Sequence, residues 1–368
     1  MSTKIPLAKP WLTELEASRV ANAVRTGWLT QSGSDVALME KSLFDFLAKR
    51  HHSEFSLTTC SNGTTALHLI LSAIGISEGD EVIIPNFSYI AVANAVLYCN
   101  ATPILIDCES NNWNMNKNAI IQSITKKTKA VIYVDNYGFH EDLQDIRKII
   151  PQHITLIRDA AESFPGRPNQ EVSFHGADYV SFSFYANKVI TCGEGGAVAG
   201  PNEGINKISK LKNQSLESSG SFIHTGIGYN YRISNMHAAV FNAQWSRKEE
   251  ILRERERVFS QYEEKLLDAE IAFRSNINGN PWLYTIAFEE QVDIKKIRKN
   301  LEVFGIETRP GFGLFSNHKY ISDRSRIFDS MYNANNTSTR LLSLPTWPEI
   351  SKDEITEVVD AIRRILQN

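Results

Sequence analysis

The sequence contains one lysine whose surroundings suit covalent chemistry. Lys188 follows an apolar run at residues 179–184 and precedes a glycine-rich stretch at residues 191–196. A lysine held in a cleft is partly desolvated, which lowers the pKa of its amine and makes it a nucleophile and a base. The alternative is an ordinary surface lysine, because charged side chains are mostly exposed.

A candidate acid ends another apolar run. Asp159 follows residues 154–158, and Glu162 comes three positions later. Parallel sheets bind ligands at the carboxyl ends of their strands, so Asp159 could hydrogen-bond a protonated ring nitrogen there. A helix cap is the alternative role for a lone aspartate at such a place.

Two further motifs carry groups that suit an anion. Residues 60–68 place Gly63 and Thr64 between a strand and a helix, where backbone N–H groups and a hydroxyl can surround an anion at the positive helix end. An ordinary helix cap would use the same residue types. Asn230 and Arg232 are two apart in an extended segment and can project to one side, although a tyrosine-rich packing turn is the alternative.

The elements that position these residues form an α/β pattern over the first 250 residues. Short apolar runs alternate with helical stretches, which is typical of a mostly parallel sheet covered on both faces. The predicted strands are residues 55–59, 81–84, 103–107, 130–134, 154–158 and 179–184. The predicted helices between them are residues 64–74, 89–99 and 142–150.

The pattern changes after residue 235. Residues 238–267 predict one long helix whose alternating arginines and glutamates form a solvated face. A strand at residues 282–288, a helix at residues 292–304 and a last helix after Ser351 follow. We therefore predict a large domain at residues 1–250 and a smaller α+β domain at residues 251–368.

Composition narrows the function classes. The chain has 368 residues, enough for two domains, and a net charge of -3, which argues against a nucleic-acid partner. The N-terminal residues lack the apolar core that is typical of a signal peptide, and the apolar stretches are too short and too interrupted to cross a bilayer. The cysteine spacing fits no metal site, so we expect four reduced, mostly buried thiols in a cytoplasmic protein: Cys60, Cys99, Cys108 and Cys192.

In this order, the four motifs resemble the DegT/DnrJ/EryC1/StrS family of sugar aminotransferases, which use pyridoxal 5′-phosphate (PLP). The likeness also includes residues 5–10, 26–31, 79–85, 101–104, 344–345 and 354–355. It implies an aspartate-aminotransferase-like fold (fold type I), with a large α/β/α domain and a smaller C-terminal α+β domain. It also implies transfer of an amino group from L-glutamate to a keto sugar, for amino-sugar or lipopolysaccharide synthesis.

The resemblance assigns roles to individual residues. It makes Lys188 the lysine that carries PLP and Asp159 the carboxylate facing the pyridine nitrogen. Asn230 and Arg232 match residues that reach into the neighbouring subunit's site, with Asn230 at the phosphate, which implies a homodimer with shared sites. The other cofactor-binding candidates are Gly63, Thr64, Tyr89, Glu162 and Ser183. The substrate-binding candidates are Trp28, Thr30, Arg232 and Arg309.

Several residues depart from the family pattern and leave the substrate open. Glu162 stands where the family often has Gln or His, and it favours the branch that aminates C-4 of nucleotide-linked 4-keto-6-deoxy sugars, which includes perosamine synthases. Residues 164–169 and 314–316 also differ where the sugar or its nucleotide could bind. The alternatives are a 3-keto sugar aminotransferase, a PLP-dependent sugar dehydratase and a non-catalytic relative. Lys188 and the cysteine spacing count against the dehydratase branches that use histidine or an iron–sulfur cluster.

Overall fold

The structure is a computed structural model that describes residues 5–49, 54–167, 170–171, 175–218, 221–269, 271–289 and 291–367. The strands are β1 (Ser56–Cys60), β2 (Glu81–Pro85), β3 (Thr102–Ile106), β4 (Thr128–Val134), β5 (Thr155–Asp159), β6 (Gly166–Arg167), β7 (Gln170–Glu171), β8 (Tyr179–Ser183), β9 (Gly196–Gly200), β10 (Phe273–Ser275), β11 (Thr285–Phe288), β12 (Arg309–Pro310), β13 (Arg326–Ile327) and β14 (Leu341–Ser343). The α-helices are α1 (Glu14–Thr26), α2 (Ser34–Ala48), α3 (Gly63–Ala73), α4 (Ala91–Tyr98), α5 (Lys117–Ser123), α6 (Gln144–Ile149), α7 (Asn202–Leu211), α8 (Asn235–Ser246), α9 (Lys248–Asp268), α10 (Ile294–Val303), α11 (Lys319–Ser322), α12 (Tyr332–Ser338) and α13 (Lys352–Leu366).

The large sheet has eight strands in the order β1-β9-β8-β5-β4-β2-β3-β13. Only β9 runs antiparallel to its neighbours, and the other adjacent pairs are parallel. Successive residues of β2 show how both faces are buried: Val82 and Ile84 join the core that includes α3 and α4, and Ile83 joins the core that includes α5 and α6. The predicted mostly parallel α/β/α sheet is confirmed.

A second sheet and a separate core form the smaller unit. Its strand order is β10-β11-β14-β12, with antiparallel pairs throughout. Along α9, Ile251 and Leu252 pack into the large core, whereas Val258 and Phe259 pack into the small one. We propose that the domain boundary lies within this part of α9, close to the predicted boundary at residue 250. One segment of the C-terminal part of the chain returns to the large domain, because β13 pairs with β3 in the large sheet.

The predicted elements of the large domain are confirmed with shifts of one or two residues at their ends. The single helix predicted at residues 238–267 is wrong, because α8 and α9 are separate helices. The break lies at Arg247, whose backbone has φ −109° and ψ 11°. Its guanidinium packs 4.3 Å from the Trp11 ring, and the Ser246 hydroxyl donates to the Ala243 carbonyl. These contacts compete with continuous helical geometry.

The prediction of a solvated arginine and glutamate face on this helix is also wrong at one position. Arg255 is buried, because the face that carries it packs against residues 281–282 and donates to their carbonyls. The four cysteines are free, and Cys60, Cys108 and Cys192 are buried as predicted. In the described part of the chain, no helix is both long and apolar enough to cross a membrane.

Candidate functional site

Four neighbouring parallel strands bring the candidate residues to one edge of the large sheet. These strands are β8, β5, β4 and β2, in that order across the sheet. Lys188 follows β8, Asp159 ends β5, Tyr137 follows β4 and Tyr89 follows β2. Because parallel strands end at the same edge, residues far apart in sequence meet in one cleft.

Lys188 lies inside this cleft, and its side chain is only 12% exposed. Its Nζ is 3.8 Å from Oε1 of Glu162 and 4.1 Å from the centroid of the Trp282 ring. Burial lowers the pKa of the amine, and the carboxylates of Glu162 and Asp159 oppose that shift. The alternative of a surface lysine is therefore wrong, and Lys188 has the environment of a nucleophile and base.

Asp159 is buried and only partly satisfied. Its Oδ1 accepts hydrogen bonds from the Ala161 N–H at 3.1 Å and from the Ser181 hydroxyl at 3.2 Å. Oδ2 makes no hydrogen bond within the described residues. Burial raises the pKa of Asp159 to about 6, and the charge of Lys188 opposes the rise. A protonated ring nitrogen at Oδ2 would supply the missing charge and donor, so Asp159 fits the pyridine end of PLP.

Glu162 is the second buried carboxyl in the cleft. Its Oε2 accepts a hydrogen bond from the Tyr137 N–H at 2.7 Å. Burial raises the pKa of Glu162 to about 7, with Lys188 opposing the rise. The Tyr137 hydroxyl in turn accepts from the Phe312 N–H at 3.1 Å. Glu162 is thus linked through Tyr137 to the loop after β12.

An anion cradle lies where α3 begins. The N–H groups of Gly63 and Thr64 belong to the first turn of α3, where N–H groups have no helical acceptor and can meet an anion. A Cβ placed on Gly63 would lie 2.9 Å from the Cβ of Ser183, at the end of β8. Only glycine leaves this space open. The helix end, the gap and the Ser183 hydroxyl together fit the phosphate of PLP.

Gly63→Ala should weaken PLP binding by about 5- to 100-fold, because the added methyl group overlaps Ser183 and narrows the cradle. Cofactor titration followed by absorbance would measure the dissociation constant. Thermal unfolding of the cofactor-free protein is the control for a general fold defect. An unchanged dissociation constant would contradict the placement of the phosphate.

Tyr89 and Arg309 border the same cleft. Tyr89 is 58% exposed, and its ring centroid is 6.1 Å from that of Phe312. Arg309, on β12, is close enough to lower the pKa values of both Glu162 and Lys188. The cofactor-binding candidate Tyr89 and the substrate-binding candidate Arg309 therefore lie at the same cleft as Lys188.

The structure describes one of the two segments that depart from the family pattern, residues 314–316, in full, and the other, residues 164–169, in part. Residues 314–316 dock on the loop after β2, where Asn86 Oδ1 accepts from the Ser316 N–H at 2.9 Å. This places that departure beside Tyr89. In the other departure, Pro168 and Asn169 lie outside the described residues.

Four candidates are not brought to Lys188 by the contacts within the described chain. Asn230 is exposed, and its Oδ1 accepts from Arg232 at 2.7 Å. Trp28 and Thr30 are exposed too, and their carbonyls accept from Asn235 at 2.8 and 3.1 Å. Trp28 and Thr30 therefore contact the start of α8, whereas Asn230 and Arg232 contact each other.

The sequence analysis missed two residues of the cleft. Tyr137 follows β4, so its place at a strand's carboxyl end was a usable signal. Trp282 stood in an apolar run that reads as strand core, and nothing in the sequence connects it with Lys188. Among the described residues, no cluster of His, Cys, Asp or Glu could hold a metal ion.

Comparison with known proteins agrees with this geometry. The model of the DegT/DnrJ/EryC1/StrS aminotransferase family matches residues 10–363. GDP-perosamine synthase of Caulobacter vibrioides is 33% identical over 374 residues, covering 99% of this chain and 98% of the relative. GDP-perosamine synthase of Vibrio cholerae is 31% identical over 369 residues, covering 98% of both chains.

Solved structures share the fold. Helicobacter pylori PseC, an aminotransferase involved in the biosynthesis of pseudoaminic acid, matches with a TM-score of 0.88 at 21% identity, covering 99% of both chains. The predicted aspartate-aminotransferase-like architecture is therefore confirmed. With a family match over nearly its whole length and a cleft that fits PLP, the chain belongs to the DegT/DnrJ/EryC1/StrS aminotransferase family and is a PLP-dependent aminotransferase.

Proposed function

We propose that the enzyme moves the amino group of L-glutamate to C-4 of a nucleotide-linked 4-keto-6-deoxy sugar. The observation that carries this proposal is the full-length similarity to two GDP-perosamine synthases, at 33% and 31% identity. Glu162 supports it, because the sequence pattern around this residue resembles the C-4 branch of the family. Arg309 at the cleft edge offers a cation for the sugar's phosphates or for the donor's carboxylate.

The proposed roles follow from the contacts of each side chain. PLP supplies the electron sink of the reaction. Lys188 would carry the cofactor and, once its amine is free, would hold and transfer a proton at Nζ. Asp159 would keep the pyridine nitrogen protonated, and Tyr89 would contact the ring. Gly63, Thr64 and Ser183 would bind the phosphate.

The substrate assignment is tested with a panel of nucleotide-linked keto sugars. The 4-keto-6-deoxy sugars should be aminated with kcat/KM at least about tenfold above 3-keto isomers, since a misplaced ketone loses its alignment with the cofactor. NMR of the product identifies the aminated carbon, and aspartate and alanine serve as control donors. A product aminated at C-3, or no product from any nucleotide-linked sugar, would contradict the proposal.

We also propose that the active form is a homodimer with shared sites. Residues 221–229 include apolar side chains that are exposed to solvent in the single chain: Phe222 is 96% exposed and Ile227 is 87% exposed. Such a patch is costly in a monomer and favours burial against a partner. Asn230 and Arg232 come directly after it, where a partner's cleft would meet them. Membership in this family and the free thiols support a cytoplasmic location for the enzyme.

Asn230→Ala should weaken PLP binding by about 10- to 100-fold, because the phosphate loses a charge-assisted hydrogen bond. Mixing this variant with Lys188→Ala should restore activity. Half of randomly paired dimers are hybrids, and each hybrid has one intact site, so about a quarter of wild-type activity returns in a two-fold dimer. The assay uses a PLP concentration at which each variant alone is inactive. No recovery after subunit exchange would contradict shared sites.

A further inference from the structure

The Lys188 amine has an aromatic neighbour with no role so far. Its Nζ lies 4.1 Å from the centroid of the Trp282 ring, within the range of a cation–π contact. The Glu162 carboxylate is the other close neighbour, at 3.8 Å. The amine is therefore held between a carboxylate and the face of an indole.

Trp282 is fixed at two points. Its indole N–H donates to the carbonyl of Asn187 at 2.9 Å, directly before Lys188 in the chain. Its own carbonyl accepts from Nη1 of Arg255 at 2.6 Å. The side chain is 2% exposed, so the ring has little freedom to turn.

Arg255 makes an unusual anchor. It is 3% exposed, and burial lowers its pKa to about 10. Its Nη1 donates to two carbonyls, that of Trp282 and that of Pro281 at 3.4 Å, and its Nε makes no hydrogen bond among the described residues. Burying a guanidinium is costly, and among the described residues its hydrogen bonds go to residues 281–282, the segment that carries the ring. It lies on α9, between the two cores.

We propose that Trp282 is a positioning residue for Lys188: its ring face and the Glu162 carboxylate receive the amine when it is protonated, and Arg255 holds the ring in place. The ring face attracts an ammonium but not a neutral amine. Burial disfavours the charged form of the amine, and the contacts with the Trp282 ring and the Glu162 carboxylate offset part of this desolvation cost. Lys188 must hold a proton after taking it up and before releasing it. The contacts with Trp282 and Glu162 give the protonated amine one fixed position during that time.

Four groups face Lys188, and all influence the charge of its amine. Glu162 and Asp159 follow or end β5, Arg309 lies on β12, and Trp282 precedes β11. A useful test must therefore change the ring and leave the three charged groups in place.

Trp282→Phe and Trp282→Leu form the matched pair. Both lack the indole N–H and both are apolar, but only phenylalanine keeps a ring face. The enzyme is loaded with the amine form of the cofactor, so that the Lys188 amine is free. Carbamylation of Lys188 by cyanate at a series of pH values, followed by mass spectrometry, gives the pKa. The pKa should be about 0.5 to 1 unit lower in Trp282→Leu than in Trp282→Phe.

The pH profile of a single half-reaction should shift in the same direction. Equal pKa values in the two variants would overturn the proposal, because the ring would then only fill space. The comparison does not depend on the sugar substrate, so its failure is distinct from failure of the C-4 assignment.

Arg255→Met tests the anchor through a double-mutant cycle. Arg255→Met is combined with Trp282→Phe and with Trp282→Leu. The difference in the Lys188 pKa between these two double variants should be less than half of that between the single variants, because an unanchored ring no longer stays over the amine. Arg257→Met is the matched control, since Arg257 lies on the same helix but donates to the carbonyls of Pro348 and Ile350. It should leave the difference unchanged. If the Arg255→Met proteins do not fold, Arg255→Leu replaces them, because leucine also lacks a donor for the two carbonyls, and an undiminished difference would overturn the anchoring role.

Discussion

Lys188→Ala is expected to lower transamination by at least about 10³-fold, because it removes both the attachment of the cofactor and the group that moves the proton. The cradle at Gly63, Thr64 and Ser183 remains, so the variant should still bind PLP. Loss of activity with cofactor retained separates a chemical defect from a binding defect. The measurement is the single-turnover rate with amino donor at saturating PLP, together with the amount of bound cofactor.

The control for Lys188→Ala is Lys126→Ala, which removes an exposed lysine outside the cleft and should leave the rate unchanged. Both proteins are also compared by thermal unfolding. A Lys188→Ala enzyme that transaminates at a rate similar to wild type would contradict the role given to this residue.

Asp159→Asn is expected to lower the rate by about 10²- to 10³-fold, the size of effect seen when one preorganised electrostatic group is lost. The amide keeps the shape of the carboxyl, and its oxygen can still accept from Ala161 and Ser181. The negative charge is removed and an N–H donor replaces the Oδ2 acceptor, so the pyridine nitrogen no longer has a partner that keeps it protonated. Single-turnover rates and the absorbance of bound PLP across pH measure the effect.

Asp178→Asn is the matched control on the same sheet. Asp178 lies before β8, at the opposite end of the strands, where Oδ2 accepts from the Leu156 N–H at 2.7 Å and from Arg147 at 3.0 Å. Asp178→Asn should lower stability but leave the rate of the folded enzyme unchanged. If Asp159→Asn and Asp178→Asn had equal rates, Asp159 would not be the partner of the ring nitrogen.

Much of the fold follows from local sequence pattern. Strands buried on both faces read as continuous apolar runs, and the six predicted runs of the large sheet are strands. The rule that ligands bind at the carboxyl ends of such strands then directs attention to Asp159 and Lys188. This part of the site is predictable because each residue follows a recognisable strand.

Other features depend on contacts between distant segments. The break at Arg247 depends on contacts with Trp11 and Glu16, more than 200 positions earlier, and no local signal marks it. Trp282 lies in an apolar run of the smaller domain, and only tertiary packing brings its ring to Lys188. Arg232 donates to Asn213 and Asn230 and not to the cleft residues, so the cofactor-binding role proposed for Asn230 and Arg232 requires a second subunit.

The central claim is that PLP is carried by Lys188. It is tested most directly by reducing the purified holoenzyme with borohydride, which fixes the cofactor to the lysine that carries it, and mapping the digested protein by mass spectrometry. If Lys188 carries PLP, the peptide that contains Lys188 should bear a phosphopyridoxyl group, and this group should be absent when glutamate is added before reduction. A modification on another lysine, or no modification in an enzyme that holds PLP, would contradict the account.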